Sequence, residues 1–203
     1  MELSEAVRRR RMVRNYTGEP VNSAALDRIL ETARRAPSAG FSQGQSMVVV
    51  TDEGTRGRIA ELCDEQAYVA AGFDPWISRA PVIVVVCTRV DSYLERYREP
   101  DKGGPESPLG VAANWDVPYW WVDGGATIML LLLAAVDEGL AAGFLGSHAI
   151  ADLRGVLGIP EDVSPVGIVT IGHQAPDRRS GSLARGWRPE NEVVHRERWQ
   201  GEP

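Results

Sequence analysis

One stretch narrows what this chain can fold into more than any other: Asp123 to Ser147, DGGATIMLLLLAAVDEGLAAGFLGS. From Ala126 to Val136 no polar face interrupts it at either helical or strand period. A helix apolar on every side is buried, in a core or in a membrane. A membrane span takes about 20 apolar residues. This run is shorter, with Asp123 before it and Asp137 and Glu138 after it. The stretch therefore predicts a central buried helix. Asp123 is expected to cap its start, accepting free backbone N–H groups at the positive helix end. Gly139 is expected to end it in the left-handed conformation that glycine takes without a clash. Leu140 to Ser147 is rich in small residues and reads as a tight packing turn, or as backbone lying close to something flat.

Composition frames the rest. The 203 residues allow one domain. Hydrophobic residues at 43% and charged residues at 25% match a soluble globular chain. A net charge of −6 gives no support to a nucleic-acid or anionic-membrane partner. Cys63 and Cys87 are far apart, which fits free thiols in a reducing compartment better than a disulfide framework. No secretory pattern precedes the charged start, so a cytoplasmic protein is expected.

Taken in order, Ser4 to Arg11 reads as a short helix capped by Ser4, followed by Arg14. Arg8, Arg9, Arg10, Arg11 and Arg14 form either a solvated basic face or a phosphate site, since guanidinium forks bind phosphate oxygens in two places. Ser23 is expected to cap a helix to about Arg35 with Ala25, Leu26, Ile29, Leu30 and Ala33 on one face. Ala36 to Gln45 is a connecting loop, or a ligand-gripping one. Met47 to Thr51 predicts a strand, Asp52 to about Ala71 one helix, and Pro81 to Cys87 a strand covered on both faces. Asp91 to Arg98 predicts a weak helix. The loop-like excursion after it leads into Trp115, Tyr119, Trp120 and Trp121, aromatics that either wall a pocket or anchor the loop. Ala151 to Leu157 predicts a short helix and Val166 to Ile171 a strand. From Gly172 onward the core pattern is lost, as in a segment that wraps a partner subunit.

No G-x-G-x-x-G follows a strand and no Walker-type loop is present. His148, His173 and His195 lack zinc-helix spacing, so no metal site is expected. Gly40-Phe41-Ser42-Gln43-Gly44 matches the G-x-S-x-G nucleophile elbow, but that motif needs a strand before it and a helix after it. A serine hydrolase using Ser42 is the rival from another mechanism class.

Read together, several segments resemble one family. Arg10-Arg11-Met12-Val13-Arg14-Asn15-Tyr16 with Pro20-Val21 resembles the opening of the nitroreductase-like flavoproteins. Ala36-Pro37-Ser38-Ala39-Gly40-Phe41-Ser42-Gln43 resembles their A-P-S-A-x-N-x-Q loop, and Asp123-Gly124-Gly125-Ala126 with Gly139-Leu140 their central helix. Leu157 to Pro160, Ile171 to His173 and Pro189 to His195 match later segments in order.

The resemblance implies an α+β sandwich with a central, mostly antiparallel sheet flanked by helices, forming an intertwined homodimer. It implies one domain over residues 1–203, with a lid-like excursion near 89–118 and a dimer-wrapping segment near 174–203. It implies an FMN-dependent oxidoreductase taking hydride from NAD(P)H and passing electrons to a small electron-poor acceptor. Arg10, Arg11, Met12, Arg14 and Arg185 or Arg188 would hold the phosphate end of FMN. Pro37, Ser38 and Ala39, from the other subunit, and Leu145, Gly146 and Ser147 would lie against its ring, with Phe41 as a further cofactor contact. Phe41, Trp115, Tyr119 and Trp120 would line the acceptor pocket. No side chain need be the catalyst, because the cofactor carries the hydride chemistry. Met12 stands where the family usually has a serine, and Trp187 where a basic residue is common. A deazaflavin, dehydrogenase or other flavin chemistry, or flavin binding without turnover, are the alternatives within the same resemblance.

Overall fold

The β-branched run after Pro81 forms β2 (Val82–Arg89), buried from Val82 through Thr88. Alternate side chains of a strand point to opposite faces. Ile83, Val85 and Cys87 enter one core with Val13, Ile59, Trp76 and Ile168. Val82, Val84 and Val86 enter a second with Ile29, Ile128, Leu131 and Leu132. A strand apolar on both faces needs cover on both, and the other elements supply it.

The computed structural model describes residues 1–146, 148, 152–178 and 180–200. Around β2 the chain runs α1 (Leu3–Arg9), α2 (Ser23–Arg34), β1 (Gln45–Val50), α3 (Glu53–Leu62), α4 (Glu65–Ala70), α5 (Val90–Tyr97), α6 (Tyr119–Asp137), β3 (Ala141–Gly146), α7 (Leu153–Leu157) and β4 (Val163–Gly172). The sheet order is β1-β2-β4-β3 with every pairing antiparallel. The register slips between Val86 and Cys87. Residues of α2 and α6 fill one core, and residues of α3 and α7 the other. This is the α+β sandwich that the sequence predicts.

Helix α6 is the central helix, and it ends as expected. Gly139 has φ +75°, its N–H donates to the Val136 carbonyl at 3.0 Å, and the Leu140 N–H donates to Ala135 at 2.8 Å. That pair of bonds is a Schellman motif. The start differs. The helix begins at Tyr119, so Asp123 lies inside it and is not its cap. Burial differs too: Trp121, Val122 and Met129 are 44%, 52% and 46% exposed, leaving one apolar face uncovered in the single chain. Among the described residues α6 is the one helix long and apolar enough to cross a membrane, and half of its apolar window is buried inside the fold.

Other boundaries moved for local reasons. Asn22, not Ser23, caps α2, its side chain accepting from the Ala24 and Ala25 N–H groups at 3.0 and 3.3 Å. Helix α1 starts at Leu3 behind Glu2 with no side-chain cap, so Ser4 sits within it. The single helix expected from Asp52 breaks at Asp64, whose φ is +52°, into α3 and α4. The small-residue stretch after Gly139 is the edge strand β3 and not a turn. The excursion folds as short 3-10 turns at Pro100–Lys102, Pro108–Gly110 and Ala112–Asn114. Among the described residues, the segment beyond β4 bridges Tyr16 at Gln174, makes 3-10 turns at Gly181–Arg185 and Glu190–Glu192, and carries Trp187 and Trp199 at 96% and 76% exposure.

Edge strand β3 does not end the layer. The Val13 N–H donates to the Ala142 carbonyl at 3.0 Å, laying the N-terminal arm along it. Glycine at 143 permits that approach: a Cβ there would collide with the Val13 carbonyl oxygen and sit 3.1 Å from the Trp76 ring. Gly143→Ala should therefore destabilise the protein by about 1–3 kcal/mol, the cost of overpacking a tight contact. Urea unfolding checks this; an unchanged midpoint would show that the arm yields without cost.

Candidate functional site

The arm is stitched on both sides. The Arg14 N–H donates to Asp177 Oδ2 at 2.8 Å, Asn15 Nδ2 to the Pro176 carbonyl at 2.8 Å, and the Thr17 N–H to the His173 carbonyl at 2.9 Å. Tyr16 is fully buried, with its hydroxyl 2.8 Å from Thr170 Oγ1 and donating toward Val13. Burial pushes the Tyr16 hydroxyl well above its ordinary pKa, so it remains a protonated donor. With its backbone fixed, Arg14 places its guanidinium 5.9 Å from the centre of the Trp76 ring.

Glu65 fixes Trp76 in turn. This buried carboxylate accepts the Trp76, Ile77 and Ser78 N–H groups at 2.8, 2.5 and 3.2 Å, and the Ser78 hydroxyl as well. Successive N–H groups converging on one oxygen pair satisfy a buried charge without a cation.

These residues open onto a cleft of about 510 Å³ lined by Arg14, Cys63, Glu65, Tyr68, Phe73, Trp76, Ile77, Leu145, Arg178, Ser180 and Gly181. Tyr68 stacks on Phe73 with ring centres 4.4 Å apart, and Arg178 lies 5.0 Å from the Phe73 ring. Among the described residues neither Arg14 nor Arg178 has a carboxylate within ion-pair distance. Arg10 Nη1 is buried with no hydrogen-bond partner among them. The cleft has the size of a small-molecule site, typically about 300–1,000 Å³. Aromatic walls with unpaired guanidinium groups suit a flat ligand bearing an anionic group.

A second cluster surrounds the Pro37–Gln45 loop. The Ala39 N–H donates to Asp123 Oδ2 at 2.9 Å, and the Tyr93 hydroxyl donates to the same oxygen at 2.9 Å. Arg96 Nε donates to the Gly40 carbonyl at 2.8 Å, and the Gln43 N–H to Ser38 Oγ at 2.9 Å. Burial, with Asp123 adding to it, holds the Tyr93 hydroxyl protonated well above its ordinary range. Phe41 and Gln43 both adopt left-handed backbone, with φ of 60° and 51°. A non-glycine residue there stores about 1–3 kcal/mol of strain. Phe41 is 74% exposed.

The fold brings Arg14 and Leu145 to one cleft, joined by Arg178. Gly146 ends β3, where a Cβ would sit 2.8 Å from the His148 ring. Ser147 lies outside the described residues. Pro37, Ser38, Ala39 and Phe41 line no described cavity together with Arg14. Arg11 lines a separate hollow of about 170 Å³ with Arg9 and Leu140, and Met12 is 38% exposed. Arg185 and Arg188 are exposed, and Arg188 pairs with Glu192 at 3.3 Å. Trp115 and Trp120 are 8% and 6% exposed, packed with Tyr93 in a third cluster, where Trp115 Nε1 donates to the Leu109 carbonyl. Tyr119, beside Trp115, is 45% exposed.

The nucleophile elbow does not form. Helix α2 precedes Ser42 and β1 follows it, and its Oγ donates to the Ala39 carbonyl at 2.6 Å within its own turn. Among the described residues no His, Cys, Asp and Glu side chains gather as a metal site. Sequence reasoning gave no site role to Tyr68, Phe73, Trp76 or Arg178. The arginine was visible in the tail, but nothing in the pattern there tied it to residue 14.

The sequence profile described as the nitroreductase family matches residues 7–173. The chain belongs to the nitroreductase family. Membership makes it an oxidoreductase by class. It is 30% identical over 209 aligned positions to a Bacillus subtilis protein named FMN reductase [NAD(P)H], covering 97% of this chain and 74% of that one. It is 28% identical to a Methanothermobacter thermautotrophicus protein named putative NADH dehydrogenase/NAD(P)H nitroreductase, covering 98% and 88%. Among solved structures, the NfrA2 protein of B. megaterium superposes with a TM-score of 0.76 at 23% identity, covering 98% of this chain and 76% of that chain.

Both cysteines are free thiols. Burial, and then the Glu65 charge, pushes the Cys63 thiol up to about 11. Its neutral form prevails at pH 7, and only the thiolate attacks a disulfide reagent. The labelling rate of Cys63 should rise about tenfold per unit between about pH 7 and 10, with Cys63→Ser as the silent control. A rate already on its plateau at pH 7 would contradict the buried setting.

Proposed function

We propose that the cleft beside Arg14 and Leu145 binds FMN, and that the protein transfers hydride from NAD(P)H to a small electron-poor acceptor. One observation carries the reading: Arg14 and Arg178, without an ion-pair partner among the described residues and seated against aromatic rings, face a cleft whose other wall is the end of β3. Arg10 does not line this cleft, but its buried Nη1 has no acceptor among the described residues, and a phosphate reaching it would supply one. The names of the relatives from B. subtilis and M. thermautotrophicus support flavin and nicotinamide chemistry for this chain. When bound, FMN supplies hydride acceptance and release. The chain's own work is to bind and orient. Arg10, Arg14 and Arg178 answer negative charge, with Arg185 and Arg188 as further candidates. Trp76, Tyr68 and Leu145 shelter a flat ring from water.

The assembly we infer is a homodimer with flavin sites at the interface. In its favour are the uncovered α6 face of Trp121, Val122 and Met129, and the exposed Leu183, Trp187 and Trp199 of the tail. Apolar surface left open on that scale marks an interaction face. A second copy offers it cover and brings a Pro37–Phe41 loop to a cleft that the loop's own chain does not reach.

The pure protein should be yellow, and Arg14→Ala should weaken FMN binding by about 1.5–3 kcal/mol, the worth of a charge-assisted contact. Fluorescence quenching measures it; a colourless protein that takes up no added FMN ends the proposal. Sedimentation should show a dimer at the lowest measurable concentration. Mixing Arg14→Ala chains with chains altered at Ser38 and Ala39 should restore bound flavin, because one site of each mixed dimer is intact. A monomer that holds FMN alone would sink the shared-site assembly.

A further inference from the structure

Two charged side chains from different helices grip neighbouring peptide groups of one turn. Asp123 on α6 takes the Ala39 N–H, and Arg96 on α5 donates to the Gly40 carbonyl. Neither grip is a loose surface contact. Asp123 is 6% exposed, and the acceptor oxygen is shared with the buried Tyr93 hydroxyl. Arg96 has a side chain 19% exposed and is locked by Asp101 at 2.7 Å and Glu99 at 2.8 Å. Gly40 adds a steric limit, because a Cβ there would lie 2.8 Å from the Tyr97 ring.

The gripped turn is also strained. Phe41 and Gln43 hold left-handed backbone, and the phenyl ring of Phe41 projects with three quarters of its residue surface bare. Such strain persists only where surrounding structure over-determines it. A loop that merely joined α2 to β1 would need neither a buried carboxylate nor an outward aromatic. Burying Asp123 in an apolar helix costs free energy that its two hydrogen bonds only offset. The cost is explained if the position of Phe41 matters.

We propose that Asp123 and Arg96 are positioning residues that hold the Ser38–Ser42 turn, so that Phe41 stands as a fixed aromatic platform selecting flat, electron-poor ring acceptors. This rests on the flavin oxidoreductase reading and on the shared-site dimer proposed above, which brings Phe41 to the partner's cleft. The chemistry follows from the ring quadrupole: the negative face of a phenyl group favours offset stacking with an electron-poor ring. An acceptor without a ring gains nothing from it.

The test uses the FMN-loaded protein and the variants Asp123→Asn, Arg96→Gln, Arg96→Lys and Phe41→Leu. Two acceptors are compared, 1,4-benzoquinone and ferricyanide, which has no ring to stack. Amide hydrogen exchange at Ala39 and Phe41 is read in parallel. Arg96→Gln should speed exchange at both amides and raise the KM for benzoquinone about tenfold, the loss of one charge-assisted bond. The KM for ferricyanide should stay within about twofold, since this anionic one-electron acceptor has no ring to stack on Phe41. Arg96→Lys, which keeps one donor for the Gly40 carbonyl, should recover part of both effects. Phe41→Leu should raise the benzoquinone KM while leaving Ala39 exchange unchanged. If Asp123→Asn fails to fold, the Arg96 series decides alone. Wild-type exchange and wild-type benzoquinone KM in Arg96→Gln would overturn the proposal, as would equal losses for both acceptors. Hydrogen exchange needs no cofactor, so a protein that binds no FMN would sink the flavin reading while the clamp is still judged on its own.

Discussion

Keeping water off both faces of β2 is the constraint on which the molecule depends. Seven successive residues of that strand are buried, and their side chains alternate between two cores. Neither core can be dispensed with, because exposing either row of valines and isoleucines would cost about 1.5–3 kcal/mol per side chain. Helices α2 and α6 must therefore lie on one side and α3 and α7 on the other. The antiparallel neighbours β1 and β4 follow from the same need, since a central strand must spend its backbone N–H and C=O groups on partners.

Within that apolar frame, two carboxylates set the geometry of two loops. Glu65 and Asp123 are both buried, and both are answered by backbone N–H groups rather than by a cation. Glu65 shapes the turn that carries Trp76, one wall of the cleft. Asp123 reaches from the core helix to the Ala39 turn. Each converts the rigidity of a core element into the placement of a loop, which a purely hydrophobic contact would do with less directional control. Their donors are neutral and fixed, so both carboxylates act as geometric anchors.

The pattern-bearing parts of the fold were legible in the sequence. Strand β2 announced itself by β-branched residues, the buried face of α2 by its period, and the end of α6 by Gly139. What escaped was structure decided by distant neighbours. β3 is made of Ala, Gly, Phe and Leu, with no β-branched residue, and is a strand because β4 and the Val13 arm pair with it. Asp123 looked like a cap because the apolar run starts after it, whereas the aromatic residues Tyr119 to Trp121 extend the helix backward. The break at Asp64 carries no glycine or proline to mark it. Motif order proposed Arg14 and Leu145 for a common site, and the cleft they share is lined also by Trp76 and Arg178, which meet them only through tertiary contacts. The resemblance that located the Pro37–Phe41 loop says nothing of the two side chains that hold it.

The stitching of the N-terminal arm has a consequence for how the molecule comes into being. Arg14 and Asn15 find their partners at Asp177 and Pro176, more than 160 positions downstream. On the ribosome the first basic residues emerge early and stay idle until His173 to Asp177 have been made. Closing a loop of that length is entropically costly and belongs late in folding. The wall that carries Arg14 thus depends on contacts that only a chain made through residue 177 can form. A nascent chain stalled before that point can hold a nearly finished core and still lack the contacts that seat Arg14 beside Trp76.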